Sequence, residues 1–185
     1  RRRTRKVVCP TTLADTMVWK EQLGVTDDQV RTIFVTVDPK RDTLDTMRTY
    51  LKSFDPKTGD VVWQADLKKL AERKPPTWGF CSSPLVMNST VIVHAGGSGD
   101  KGTLAFDSEN GELKWSAPSG DHSYSSPQLS TVNGEPSVLM LTNRGIELLD
   151  PQTGNLRLNY EWKHDGYRDL QPQVVDGDCI LLPTG

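Results

Sequence analysis

The chain has 185 residues, of which 35% are hydrophobic and 25% charged, an ordinary composition for a folded chain and unlike that of a disordered one. No apolar run approaches the roughly 20 residues that a spanning helix needs, so no membrane span is expected. The formal net charge of −2 hides a split: residues 1–53 carry 11 Lys+Arg against 7 Asp+Glu, and residues 54–185 carry 11 against 17.

The basic excess begins at once, in Arg1, Arg2, Arg3, Arg5 and Lys6. A secretory signal needs an apolar run of roughly 7 to 15 residues after such charges. Only Val7 and Val8 follow before Cys9-Pro10, so no targeting segment is read here. A nucleic-acid footprint interleaves aromatics with its charges, and the first aromatic is Trp19. Residues 1–8 are therefore expected to be a disordered basic terminus with no nucleic-acid partner. Cys9, Cys81 and Cys179 lie too far apart in sequence for a metal pair or a disulfide framework.

Residues 9–53 carry an α/β pattern. A helix is predicted from about Thr12 to Leu23, ended by Gly24; a strand over Thr32–Val37; and a helix from about Leu44 to Ser53. Thr43 stands as its N-cap, and Leu44, Met47 and Leu51 fall on one helical face. The stretches Cys-Pro-Thr-Thr-Leu from Cys9 and Val-Thr-Val-Asp-Pro-Lys-Arg-Asp-Thr ending at Thr43 resemble the Sco family of thioredoxin-fold copper chaperones for cytochrome c oxidase. That resemblance implies copper held by two cysteines of a Cys-x-x-x-Cys-Pro motif and a later histidine, ligands suited to Cu(I) and Cu(II). Cys9 matches the second cysteine, and Arg5 stands at the position of the first. His94, His122 and His164 all lie in the later, different part of the chain, so none is carried over as the third ligand. One thiolate does not hold copper tightly or run dithiol exchange. Cys9 is thus the single remaining ligand position, in a segment expected to be inactive.

From Phe54 the pattern repeats. Phe-Asp-Pro-Lys-Thr-Gly begins at Phe54, Phe-Asp-Ser-Glu-Asn-Gly at Phe106, and Leu-Asp-Pro-Gln-Thr-Gly at Leu149, each followed by a β-type run. A second element precedes two of these, from Cys81 and from Tyr124, and a weaker copy starts at Asp169. Ser83 to Ser126 is 43 residues, Ser126 to Gln171 is 45, and Asp107 to Asp150 is 43. Short β-branched runs at that period predict four-stranded propeller blades. One blade reads as Ser83–Met87, Thr90–Ala95, Gly102–Asp107 and Leu113–Ala117. The next reads as Ser125–Val132, Ser137–Thr142, Gly145–Asp150 and Leu156–Tyr160, and Val61–Leu67 reads as the outer strand of a preceding blade. In each Asp-x-x-Thr/Asn-Gly step the Asp caps a hairpin turn and the Gly takes a positive φ, which makes Asp55, Gly59, Asp107, Gly111, Asp150 and Gly154 structural positions.

These units resemble the quinoprotein (PQQ-like) repeat, whose motif runs Ala-x-Asp-x-x-Thr-Gly-x-x-x-Trp. Ala105, Asp107, Gly111 and Trp115 match it, as do Asp55, Thr58, Gly59 and Trp63, whereas Leu158 replaces the third Trp. The resemblance implies that the indoles of Trp63 and Trp115 pack between blades. The fold expected is mainly β: an incomplete β-propeller over residues 54–185, with about two full blades and partial ones, after a partial thioredoxin-like segment. Closed propellers usually have about 4 to 8 blades, so either further blades or a protein partner is expected to cover the open edges.

A quinoprotein dehydrogenase implies PQQ, Ca²⁺-binding carboxylates, a catalytic Asp and often adjacent cysteines; Cys81 is followed by Ser82, and no Cys-Cys pair exists. Asp121-His122 and His164-Asp165 read as loop polarity, because neighbours along a strand face opposite ways. Trp78-Gly79-Phe80-Cys81 reads as packing at the start of a blade, and Asn143-Arg144 as a hairpin turn. The function expected is a non-catalytic binding or scaffold module, periplasmic or extracellular by resemblance. The alternatives are a fragment of a PQQ-dependent dehydrogenase, with PQQ and Ca²⁺, and copper delivery. Phe54-Asp55-Pro56 suits both the end of the Sco-like helix and a propeller turn, so the chain reads as a chimera joined there.

Overall fold

The computed structural model describes residues 18–26, 29, 43–52, 63–162 and 170–182. The chain divides into two compact units, Arg1–Val61 and Val62–Gly185. In the first, residues 18–23 are helical and the chain leaves the helix through Gly24. Helix α1 spans Leu44–Lys52. Thr43 caps it: its Oγ1 accepts from the Thr46 amide at 3.3 Å, satisfying one of the amides that a helix start leaves open. Asp45 adds a negative charge in the first turn, where the helix dipole favours it. The strand expected over Thr32–Val37 lies outside the described residues.

The second unit is mainly β, with antiparallel sheets and few helices. Two sheets of four strands follow the chain order: β1 Leu85–Met87, β2 Thr90–His94, β3 Thr103–Asp107 and β4 Leu113–Ala117, then β5 Gln128–Val132, β6 Glu135–Thr142, β7 Gly145–Leu149 and β8 Leu156–Glu161. A separate hairpin joins β9 Gln173–Val175 to β10 Cys179–Leu181. Every neighbouring pair is antiparallel, as short connections require. The third and fourth strands slip register at Ala105/Phe106 in the first sheet and at Leu148/Leu149 in the second, 43 residues apart. The repeat is therefore structural down to its irregularities.

Packing follows the two-residue period of the strands. Ile92, Ala105, Trp115 and Ala117 from one face of the first sheet meet Val138, Met140 and Leu149 from one face of the second. Leu139, Leu141, Ile146 and Leu148, on the opposite face of the second sheet, pack under Val174, Ile180 and Leu182 of the β9–β10 hairpin. The second sheet is thus covered on both sides, which explains why β7 is buried along its whole length instead of alternating. At one edge of this stack β1 lies against β5, and β5 against β9.

Most strand boundaries shift by a residue or two from those the sequence predicts, and β6 begins at Glu135 instead of Ser137; three differences have a cause in the hydrogen bonding. β1 starts at Leu85, because the Ser83 amide donates to Ser126 Oγ (2.8 Å) and not to a ladder. β5 starts at Gln128, because the Ser125 and Ser126 amides go to Ser123 Oγ (3.0 Å) and Gln171 Oε1 (2.8 Å). Over Val61–Leu67 the described residues 63–66 form no ladder, and Leu67–Leu70 is a short helix, α2. Asp66 starts it by accepting the Lys68 amide at 3.1 Å, so a capping carboxylate overrides a β-type sequence that finds no strand to pair with among the described residues.

Candidate binding surface and the joints between repeats

The turn from Asp107 to Gly111 and the turn from Asp150 to Gly154 are built alike. Asp107 Oδ1 accepts from the amides of Glu109 (2.8 Å) and Asn110 (3.4 Å); Asp150 Oδ1 accepts from Gln152 (2.8 Å) and Thr153 (2.9 Å). Each turn closes on its glycine, with Gly111 N–H to Asp107 O at 3.0 Å and Gly154 N–H to Asp150 O at 2.9 Å. The second oxygen of each aspartate meets a cation from the following strand, Lys114 at 3.1 Å and Arg157 at 2.5 Å. The Glu109 amide and then Lys114 hold the Asp107 carboxyl below its ordinary pKa. At Asp150 partial burial pushes upward, but the Thr153 and Gln152 amides and the Arg157 guanidinium outweigh it, and the net shift is down.

Each turn is also a seat for an indole. Trp63 Nε1 donates to Ser108 O at 2.9 Å, and Trp115 Nε1 donates to Pro151 O at 3.3 Å; the acceptor in each case is the residue after the capping aspartate. The rings lie on the glycines, where an added Cβ would stand 2.6 Å from Trp63 Cδ2 at Gly111 and 2.5 Å from Trp115 Cε3 at Gly154. Both glycines hold positive φ, 74° and 73°, so both turn geometry and contact demand glycine there. Trp63 also tilts against Phe106 with ring centroids 5.9 Å apart.

A second series of contacts repeats just before β1, β5 and β9. Ser83 N–H reaches Ser126 Oγ, Ser126 N–H reaches Gln171 Oε1, and Ser125 Oγ donates to Leu170 O. These are the positions that the 43- and 45-residue spacings align. Cys9, Asp55 and Gly59 lie outside the described residues, as do His164 and Asp165.

The polar groups gather where the β2–β3 loop, the β4–β5 connection and the β6–β7 turn meet. Asn143, in that turn, donates through Nδ2 to Asp121 Oδ1 (2.6 Å) and accepts the His122 amide at Oδ1 (3.2 Å). Arg73 ties the same place from a separate segment, donating to Gly96 O at 2.6 Å and to Asp121 O. Tyr124 packs edge-on to His122 at 4.9 Å and against Trp78 at 5.6 Å. Trp78 is largely exposed and Phe80 is buried, so the Trp78–Cys81 stretch is divided between surface and core.

Below this surface lie two buried ionisable groups that sequence reading passed over. His94 Nε2 meets Gly120 O at 2.8 Å, and burial pushes the imidazole down to about 4, assisted by Arg73 and His122 and opposed by the Gly120 carbonyl and Asp121. Glu147 Oε2 accepts from Ser119 Oγ at 2.5 Å and from the Gly120 amide at 3.4 Å. Its Oε1 has no hydrogen-bond partner among the described residues and faces Arg144 Nε at 3.5 Å. Gly120 is therefore gripped on both sides, its carbonyl by the first sheet and its amide by the second. The signals were present: a histidine closing the apolar run Thr-Val-Ile-Val-His, and a glutamate inside Gly-Ile-Glu-Leu-Leu. Charged groups at such positions need partners to be tolerated. Among the described residues no three His, Cys, Asp or Glu side chains converge as a metal site.

The family model described as SCO1/SenC matches residues 5–72. The match supports the Sco-type, thioredoxin-like reading of the amino-terminal part and suggests a fragment of the copper-chaperone family. It spans Cys9 and Asp38 to Thr43, and continues past Ser53 through Asp55, Gly59 and Trp63. No curated protein matches the chain.

Proposed function

We propose that residues 54–185 form part of a quinoprotein-type β-propeller that acts outside the cytoplasm as a non-catalytic binding or scaffold module, joined to a Sco-type segment that no longer delivers copper. The observation that carries this reading is the repeated joint, Trp63 on Gly111 and Trp115 on Gly154, with the carbonyl at the equivalent turn position, Ser108 O and Pro151 O, accepting each indole N–H. The loop surface around Asp121, His122, Asn143 and Arg144 is the binding face in this proposal. Its side chains mostly bond to backbone and to one another, which favours a rigid recognition surface over proton transfer. The test is dye reduction by the full chain with PQQ, Ca²⁺ and primary alcohols. No turnover above the protein-free rate is expected, and cofactor-dependent turnover would overturn the reading in favour of a dehydrogenase fragment.

Copper delivery is the second reading, favoured by the match over residues 5–72. The donor set does not fit a tight site: Cys9 is one thiolate, and Arg5 occupies the position of the other cysteine. Titration with Cu(I) against a competing chelator decides between the two. Weak retention is expected; tight one-to-one binding abolished by Cys9→Ala would restore the chaperone role.

A further inference from the structure

The two complete sheets offer nearly the same face to a neighbour. On each, an indole from the preceding unit sits on a turn glycine and gives its N–H to the carbonyl after the capping aspartate. Phe106 meets Trp63 on one face of the first sheet, and Leu149 packs in one cluster with Trp115 on the equivalent face of the second. Two residues back along each strand, on the same face, the sheets differ: the first has Leu104 and the second Glu147, both buried. The indole contacts are common to both joints, so they do not tell one neighbour from another. The residue at 104 and 147 does.

The neighbour of Glu147 supplies donors. Oε2 accepts from Ser119 Oγ at 2.5 Å and from the Gly120 amide at 3.4 Å, both in the chain leaving β4. The segment before the first sheet has no such pair. Counted from its indole as Ser119 and Gly120 are counted from Trp115, it places Leu67 and Lys68 there; counted back from Ser83 as they are from Ser126, it places Pro76 and Thr77. Leucine and proline carry no hydroxyl, and proline has no amide N–H either. A carboxylate set against that segment loses the donor that Ser119 gives, whereas a leucine needs none.

We propose that Glu147 is the specificity-determining residue of the joint between the two sheets: it reserves its face for the sheet whose exit carries Ser119 and Gly120, and shuts out residues 63–80 of a second copy of this chain. Within one chain that segment is held on the first sheet by Trp63, so the competitor is the second copy. Burying a carboxylate without its donors is unfavourable, and the penalty falls only on the wrong neighbour. In coiled coils a single buried polar residue selects register and partner in the same way, at some loss of stability.

The test is refolding of the full chain from urea at low and high protein concentration, with mass read by light scattering after size exclusion. The parent should be monomeric at both. Glu147→Leu with Ser119→Ala gives the second sheet the residue of the first and removes the hydroxyl left over. This double variant should keep a similar or higher urea midpoint, yet form dimers that grow with concentration. Trp115 is displaced from its seat in those dimers, so fluorine NMR of chain labelled with fluorotryptophan should gain a second Trp115 resonance. Adding Trp63→Leu, which removes the intruding indole, should return the variant to monomer. Ser119→Ala alone keeps the charge without its donor; it should stay monomeric and lower the folding equilibrium constant about 10- to 100-fold. A double variant that is monomeric at both concentrations overturns the proposal. So does one that no longer folds, since Glu147 would then serve stability and not selection. Dimers in the parent, or dimers that persist after Trp63→Leu, overturn it as well.

Discussion

Substituting Gly154 by alanine tests the joint between the two sheets with a single methyl group. Two costs act together. The backbone sits at φ 73°, where an L-residue with a Cβ loses about 1–2 kcal/mol. The new Cβ would also stand 2.5 Å from Trp115 Cε3 and 2.9 Å from Cδ2, inside any real contact. The indole cannot simply withdraw, because it is packed with Ile92, Ala105 and Leu149 and bonded to Pro151 O. Overpacking of this kind costs about 1–3 kcal/mol more, so a total of roughly 2–5 kcal/mol is expected. Gly134 supplies the control: it has φ 79° and nothing within 4 Å of its added Cβ. Gly134→Ala should show the backbone part alone. The assay is urea unfolding followed by far-UV circular dichroism, on both single variants and on Gly154→Ala in a Trp115→Leu background. With the indole gone, the Gly154 substitution should fall to the Gly134 value. Equal losses for Gly154→Ala and Gly134→Ala in the parent chain would refute the docking of Trp115 on this turn.

Three further outcomes follow from the buried groups and turns. His94 is held at about 4 against an ordinary value of 6.5, so the unfolded chain binds the extra proton between those values. Stability is full above about pH 6.5 and falls as the pH drops through that window, by roughly 3 kcal/mol at about pH 4; urea midpoints across pH 4–7 should show this slope, flattened in His94→Gln. Removing Arg144 leaves the Glu147 carboxylate buried without its cation, so Arg144→Ala should cost about 2–4 kcal/mol. Adding Glu147→Gln should recover part of that loss, and a simple sum of the two single losses in equilibrium unfolding would argue against the pair. Asp150→Asn removes a charge that its amide and Arg157 partners favour. Since the folded-state pKa of Asp150 lies below its ordinary value, its contribution persists above that value and disappears as the pH falls through the depressed one. The parent should therefore lose its advantage over Asp150→Asn in acid, as read from thermal midpoints at pH 2–7.

Local chemistry made the turns legible from sequence. Asp107 with Gly111 and Asp150 with Gly154 fix their own conformation through bonds made within five residues, so spacing alone located them. The meander order followed, because short connections between β-type runs admit only neighbouring antiparallel strands. What escaped depended on contacts distant in sequence. Ser83 and Ser126 look like strand residues until their amides are seen to bond across units. Val61–Leu67 reads as a strand, but among the described residues none pairs with 63–66, and Asp66 turns the chain into α2. His94 and Glu147 sit among apolar residues for reasons that appear only when Gly120, 26 and 27 residues away, is brought between them.

The contacts through Ser83, Ser126 and Gln171 carry a geometric consequence. Each unit hands its backbone amide to one side chain of the next, so the reach of that side chain sets how closely the units approach at this edge. A serine hydroxyl extends one bond beyond Cβ, whereas the Gln171 carboxamide oxygen extends three. The spacing between successive units is therefore adjustable at single positions without repacking the apolar layers. A chain built this way can vary its curvature from joint to joint while keeping one kind of core.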